Sequence, residues 1–240
     1  MLLDAYFEKN LAVLEAIRTT QREKILSAAE IAAHTIVEDG IIYLFGCGHS
    51  HLIALDNFYR AGGLCNVSPM LDADLMLNDG AAKSSKMEKM QGLAESVFDR
   101  YCLTEKDCLF VISTSGKNAV PVEMAQVAVS RGIPTVGVVS GAYFSDPGPL
   151  PKVYECCHVY IDNCVPHGDA VMELPGLDTA MGSVSTVASA FILQSVLLEA
   201  AALAVEKGAR PPVYKSGNVE GGAAFNKDLI RAYQPRLRHL

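Results

Sequence analysis

Residues 109–118 read LFVISTSGKN. An apolar run stops abruptly in Ser113, Thr114, Ser115 and Gly116, and a helical pattern begins at Ala119. A short apolar run followed at once by a helix is the grammar of a buried parallel strand feeding its crossover. Hydroxyls and a glycine at that junction suit an oxyanion. Loop N–H groups point outward there, and the helix end carries partial positive charge. Equally, a polar strand-to-helix connection caps the helix. The loop holds one cation, Lys117, so an anion cradle built from it would be largely neutral.

Residues 41–50, IIYLFGCGHS, repeat the pattern: apolar run, then Gly46, Gly48 and Ser50, then the helical stretch HLIALDNFYRA. A dinucleotide fingerprint would need glycine at position 51, where His51 stands. There is no GxxxxGK[ST] either. Two short hydroxyl-tipped loops suggest one phosphate rather than a pyrophosphate.

Working outward, residues 4–38 show helical periodicity without glycine or proline. The rest predicts strands at 41–46, 64–70, 108–113, 134–139 and 157–162. Helices are predicted at 50–61, 86–101, 119–131, 184–206 and 223–233, and SGAYFSDPGPLP as a proline-rich loop. Residues 71–86 are irregular and read as an active-site or interface loop. Alternating strands and helices imply an α/β three-layer, doubly wound, flavodoxin-like sheet of five parallel strands. Strands one and three are then neighbours at the switch point, where the two loops converge. The expected organisation is a helical extension over 1–38, a core domain over 39–207, and a C-terminal loop and helix over 208–240.

Composition excludes several classes. The net charge of −7 over 240 residues argues against a nucleic-acid partner. The apolar stretch Val184–Val205 carries Ser, Thr, Gln194 and Glu199, so it reads as a helix buried in protein, and no membrane partner is expected. The N-terminus has acidic residues and no signal-peptide pattern. Seven scattered cysteines without a CxxC pair fit a reducing, cytoplasmic setting. No cofactor is expected.

The chain resembles the SIS (sugar isomerase) domain proteins. The resemblance rests on GCGHS at 46–50, ISTSGKNAVPVEMAQVAVSRGIPTVGV at 112–138 and GSVSTVAS at 182–189, and spans roughly residues 35–205. It is similar to the single-domain members, phosphoheptose isomerases and N-acetylmuramic acid phosphate etherases, without matching either throughout. The resemblance implies a phosphosugar ligand held by Ser50, Ser113, Thr114 and Ser115, with Gly48 and Asn118 alongside. Ser183, Ser185 and Thr186 match a segment bordering the sugar; helix capping is the alternative. An aldose–ketose isomerase is implied first; a lyase or etherase, or a non-catalytic sensor or assembly protein, remain the alternatives.

In phosphoheptose isomerases a histidine and a glutamate follow the loop serine by six and ten positions. Here those positions hold Asp56 and Arg60, so no zinc or other metal is expected. Glu88 falls where an etherase carries a glutamate, near the expected N-terminus of the helix before strand three, and is the candidate base. His49 and His51 flank Ser50, and His167 follows strand five; they are the candidate acids. The resemblance also implies a homodimer or homotetramer, for which the stripe Leu11, Leu14 and Ile17 is the expected contact.

Overall fold

The structure, a computed structural model, describes residues 1–148 and 151–240; the end of the expected proline-rich loop, at 149–150, lies outside these residues. Its centre is a five-stranded, all-parallel sheet in the order β2-β1-β3-β4-β5. The strands are β1 (Ile42–Gly46), β2 (Val67–Met70), β3 (Cys108–Ile112), β4 (Thr135–Val139) and β5 (Val159–Asp162). This is the doubly wound order expected, with the chain reversing direction across the sheet between β1 and β3.

Every residue of β1 is buried, because both faces of the sheet are covered. Ile42 and Leu44 face one layer; Tyr43 and Phe45 face the other. The first layer holds α2 (Arg22–Val37), α3 (Ser50–Asn57) and α8 (Ser185–Glu206), with Ile17 of α1 (Leu2–Thr20). Ala28, Ala29, Ala32 and Ala33 of α2 are fully buried, and their small side chains let α2 lie close along α8. The second layer holds α5 (Leu93–Phe98) and α6 (Ala119–Ser130), closed below by Tyr233 and Leu237 around α9 (Gly222–Tyr233).

Three details depart from the sequence expectations. The helix expected at 86–101 is shorter, α5 (Leu93–Phe98), and a helix α4 (Ala81–Met87) instead lies mostly in the stretch 71–86 expected to be irregular, with Gly92 in a left-handed conformation (φ 82°) between them. The turn-rich stretch after β5 contains a small antiparallel hairpin, β6 (Ala170–Met172) and β7 (Met181–Ser183). Finally, the α1 stripe is largely spent inside the chain. Ile17 is buried and Leu14 half-buried, leaving Leu3, Phe7 and Leu11 exposed. Between β4 and β5 lies the one-turn helix α7 (Val153–Cys156). Among the described residues only α8 is long and apolar enough to cross a membrane, and its inner face is packed into the core.

Candidate functional site

The two hydroxyl loops leave adjacent strand ends. Gly46 and Ile112 are register partners, so the loops start about 4.8 Å apart. Gly46 cannot carry a side chain. A Cβ there would lie 2.6–2.8 Å from atoms of Ser50, whose residue folds back over the strand end. Gly48 supports that turn with φ 56°, and the Ser50 N–H closes it onto the Cys47 carbonyl at 3.0 Å. Ser50 then opens α3.

The second loop is pinned from behind. The Ser113 hydroxyl accepts the Gly116 N–H at 3.2 Å. The Thr114 hydroxyl accepts a bond from the Asn163 amide at 3.4 Å, and Asn163, fully buried, also reaches Ser189 of α8 at 3.3 Å. Both hydroxyl oxygens are thus accepting internally, which leaves their protons to donate outward. Among the described residues the N–H groups of Thr114, Ser115 and Lys117 have no internal acceptor, and neither has the Ser115 hydroxyl proton. The result is a half-exposed strand-end loop rich in unpaired donors. The helix behind contributes less than its position suggests. The Val120 N–H goes to the Glu88 carbonyl at 3.0 Å, and Pro121 has no N–H.

Glu88 sits at the C-terminal end of α4, a correction forced by the helix break at Gly92. There the helix dipole disfavours a carboxylate, so favourable dipole pairing does not explain the residue. Burial pushes its carboxyl above the usual range, and the Asn118 amide beside it holds it back in part. The same carboxylate and that of Asp72 bear on Cys47, whose thiol burial already raises steeply. Glu88 therefore stands next to both loops. The segment between β2 and α4 covers the first loop. The Leu75 carbonyl accepts from the Gly48 N–H and from the Ser84 hydroxyl, both at 2.9 Å.

The remaining candidates divide. His49 is exposed on the first loop. His51 is buried, its Nδ1 donating to the Gly48 carbonyl, and it lines a small cavity with Met76 and Leu77. His51 therefore locks the turn instead of lining the cradle. Gly48 likewise offers shape but no donor, since its N–H is taken. Ser185 gives its hydroxyl to Asp169 at 2.6 Å, and the same carboxylate accepts the N–H groups of Val184 and Ser185 at 3.0 and 2.8 Å. Asp169 thus caps the start of α8, taking the N–H groups of Val184 and Ser185 but not those of Thr186 and Val187. Thr186 is exposed beyond it, and the Ser183 carbonyl accepts the Tyr6 hydroxyl at 2.6 Å. His167 stacks on Tyr143, with ring centres 4.4 Å apart, and meets Asp146 at 3.3 Å. Asp56, exposed on α3, pairs with Arg60 just beyond the end of that helix.

Sequence reasoning missed Asn163, Asp146 and Asp169. Asn163 follows β5 as Ser113 follows β3, so the search for polar strand ends that singled out the serines would have found it. Asp169 carries no local signal, because its partners lie 15 and 16 residues on.

A sequence model of the SIS domain matches residues 5–140. The UPF0309 protein of Caldanaerobacter subterraneus is 40% identical over 246 residues, covering all of both chains. That of Geobacillus thermodenitrificans is 38% identical over 240 residues, covering 98% of this chain and 96% of its own. Among solved structures, the phosphoheptose isomerase GmhA of Neisseria gonorrhoeae superimposes with a TM-score of 0.55 at 15% identity, over 83% of this chain and 97% of that one. The Vibrio vulnificus NanR protein complexed with ManNAc-6P gives 0.53 at 14% identity, over 100% of this chain and 71% of its own. Escherichia coli CFT073 c3406 in complex with A5P gives 0.52 at 14% identity, over 87% and 90%. The sheet order, the paired glycine and serine loops and full-length relatives agree: the chain belongs to the SIS-domain family and, within it, to the UPF0309 proteins.

Proposed function

We propose that the protein binds a phosphorylated sugar in the concavity between Ser50 and Ser113–Asn118 and transfers a proton on it, as an aldose–ketose isomerase. The observation that carries this is the donor cradle. Three N–H groups without an internal acceptor and the hydroxyl protons of Ser113, Thr114 and Ser115 lie on one short loop, and none of them is taken by a carboxylate, which suits a bound dianion. Two structural neighbours, complexed with ManNAc-6P and with A5P, agree with it.

The sugar then extends toward Glu88. Its carboxylate removes the proton from C2, leaving an enediolate, and returns it to C1. A base whose pKa burial raises above its ordinary value suits that exchange in both directions. Asn118 orients the carboxylate. His49 or His167 carries the hydroxyl proton between O1 and O2. One observation favours a second reading, elimination across C2–C3. Glu88, whose side chain meets Asn118 of the cradle loop, stands at the position where the etherases place a glutamate, whereas Arg60 and Asp56 are engaged with each other.

We also propose that the protein self-associates through α8. Phe191, Leu198 and Val205 stand exposed along one face of that helix, and Leu198 is 75% exposed.

The test is a panel of sugar phosphates followed by melting temperature, then by deuterium wash-in at C2 in heavy water. A ligand must raise the melting temperature by mass action. Wash-in with the skeleton intact marks isomerisation, and loss of the C3 substituent marks elimination. A panel in which no sugar phosphate stabilises the protein overturns the reading.

A further inference from the structure

Lys117 is the one cation on the second loop, and it does not stand free. Its ammonium bonds the Asp146 carboxylate at 2.5 Å, 5.5 Å from the Tyr143 ring centre. The same Asp146 oxygen receives His167 at 3.3 Å, and His167 is stacked on Tyr143. The carboxylate is held in place by two strand-end loops. The Ser140 hydroxyl, fully buried, accepts the Ala142 N–H and donates to the Val165 carbonyl at 2.6 Å, tying the loop after β4 to the loop after β5. The Tyr143 hydroxyl accepts the Gly168 N–H at 2.8 Å, and the Asp146 N–H returns to the Tyr143 carbonyl at 3.1 Å. The remaining cation of this wall, Lys152, is spent on the Phe144 carbonyl at 2.6 Å.

On the reading of the cradle as a phosphate site, we propose that Asp146 sets its anion affinity by holding Lys117 in reserve. An arriving dianion competes with Asp146 for the ammonium. Lys117 swings to the bound phosphate, and Asp146 keeps His167 as its remaining partner. The Lys117 N–H has no internal acceptor, and a four-carbon side chain rooted in this loop can fold back over an anion bound to it. Both partner groups depress the Asp146 carboxyl, Lys117 the more strongly, which agrees with a carboxylate that stays ionised throughout the exchange. Asp146 is in these terms a specificity-determining residue. It lowers affinity for any small anion and leaves the site to ligands whose sugar portion adds contacts of its own.

The experiment measures inorganic phosphate and a binding sugar phosphate by titration calorimetry at low and high salt. It uses the wild type, Asp146→Asn, Lys117→Met and the double variant, each checked by melting temperature. Releasing Lys117 in Asp146→Asn should tighten phosphate binding about fivefold, the scale of one exposed ion pair. The gain should shrink with added salt. Lys117→Met should weaken binding, and the double variant should match Lys117→Met. The proposal is overturned if Asp146→Asn binds phosphate no better than wild type, or if Lys117→Met leaves affinity unchanged. Wild type binding the sugar phosphate with Asp146→Asn unaltered sinks only the reserve-cation role. Binding by neither sinks both this and the phosphate reading.

Discussion

Helices α6 and α8 both begin beside the carboxyl ends of the strands, and they treat that position in opposite ways. At α8 an internal carboxylate, Asp169, accepts two backbone N–H groups and a hydroxyl. At α6 the N–H groups of Thr114, Ser115 and Lys117 in the preceding loop have no internal acceptor, and no carboxylate caps them. The same residue types, serine and threonine before a helix, do structural work in one place and leave open valence in the other. The donors left without a carboxylate at the α6 end are therefore the set we propose as the ligand site. Asn163 links the two by bonding both Thr114 and Ser189, so the closed end braces the open one.

The largest effect that would sharpen this contrast is at the open end. Glu88→Gln should cut turnover by about 100-fold or more while leaving phosphosugar affinity nearly intact. In the wild type, kcat/KM should fall on acidification with a midpoint above the ordinary carboxylate range, and this limb should vanish in the variant. Stability should move the other way. A carboxyl whose folded pKa is raised stabilises the fold below its unfolded pKa and loses that contribution as pH rises through the folded value. At neutral pH Glu88→Gln should therefore melt no lower than wild type. A lower melting point at pH 7 would make Glu88 a structural residue.

Next in size is the closed end. Asp169→Gly respects the positive φ of 65° but removes the cap. It should cost about 2 kcal/mol in chemical denaturation and leave phosphosugar affinity unchanged. A large loss of affinity with little loss of stability would erase the distinction between the two helix ends. Ser115→Ala should do the reverse, weakening phosphosugar binding by about tenfold, the scale of one hydrogen bond to a charged group, without lowering the melting temperature. The smallest change is Arg60→Ala. Its ion pair with Asp56 is exposed and should contribute about 0.3 kcal/mol, with turnover unaltered.

The sheet was legible because parallel strands buried on both faces read as unbroken apolar runs, and β1, β3 and β4 fall within one or two residues of those runs. The strand order followed from crossover handedness. The loops at 46–50 and 113–118 were legible for the same reason, since polarity appears suddenly where burial ends. What escaped depends on contacts distant in sequence. The periodicity of 86–101 continues through Gly92, and only the left-handed backbone there turns Glu88 from the start of one helix to the end of another. Strands of three residues, as in β6 and β7, are too short for alternation to register. His51 and His49 differ by two positions in sequence and by a whole environment in the fold, one buried and one exposed.

The double acceptor at Leu75 gives the protein a built-in clock. The Gly48 amide proton is held by a carbonyl on the covering segment rather than by its own loop, so it can exchange with solvent only when that segment lifts. Its exchange rate therefore counts openings of the cover directly. A ligand that shuts the cover would slow this single amide, and one that leaves through it would be paced by the same motion.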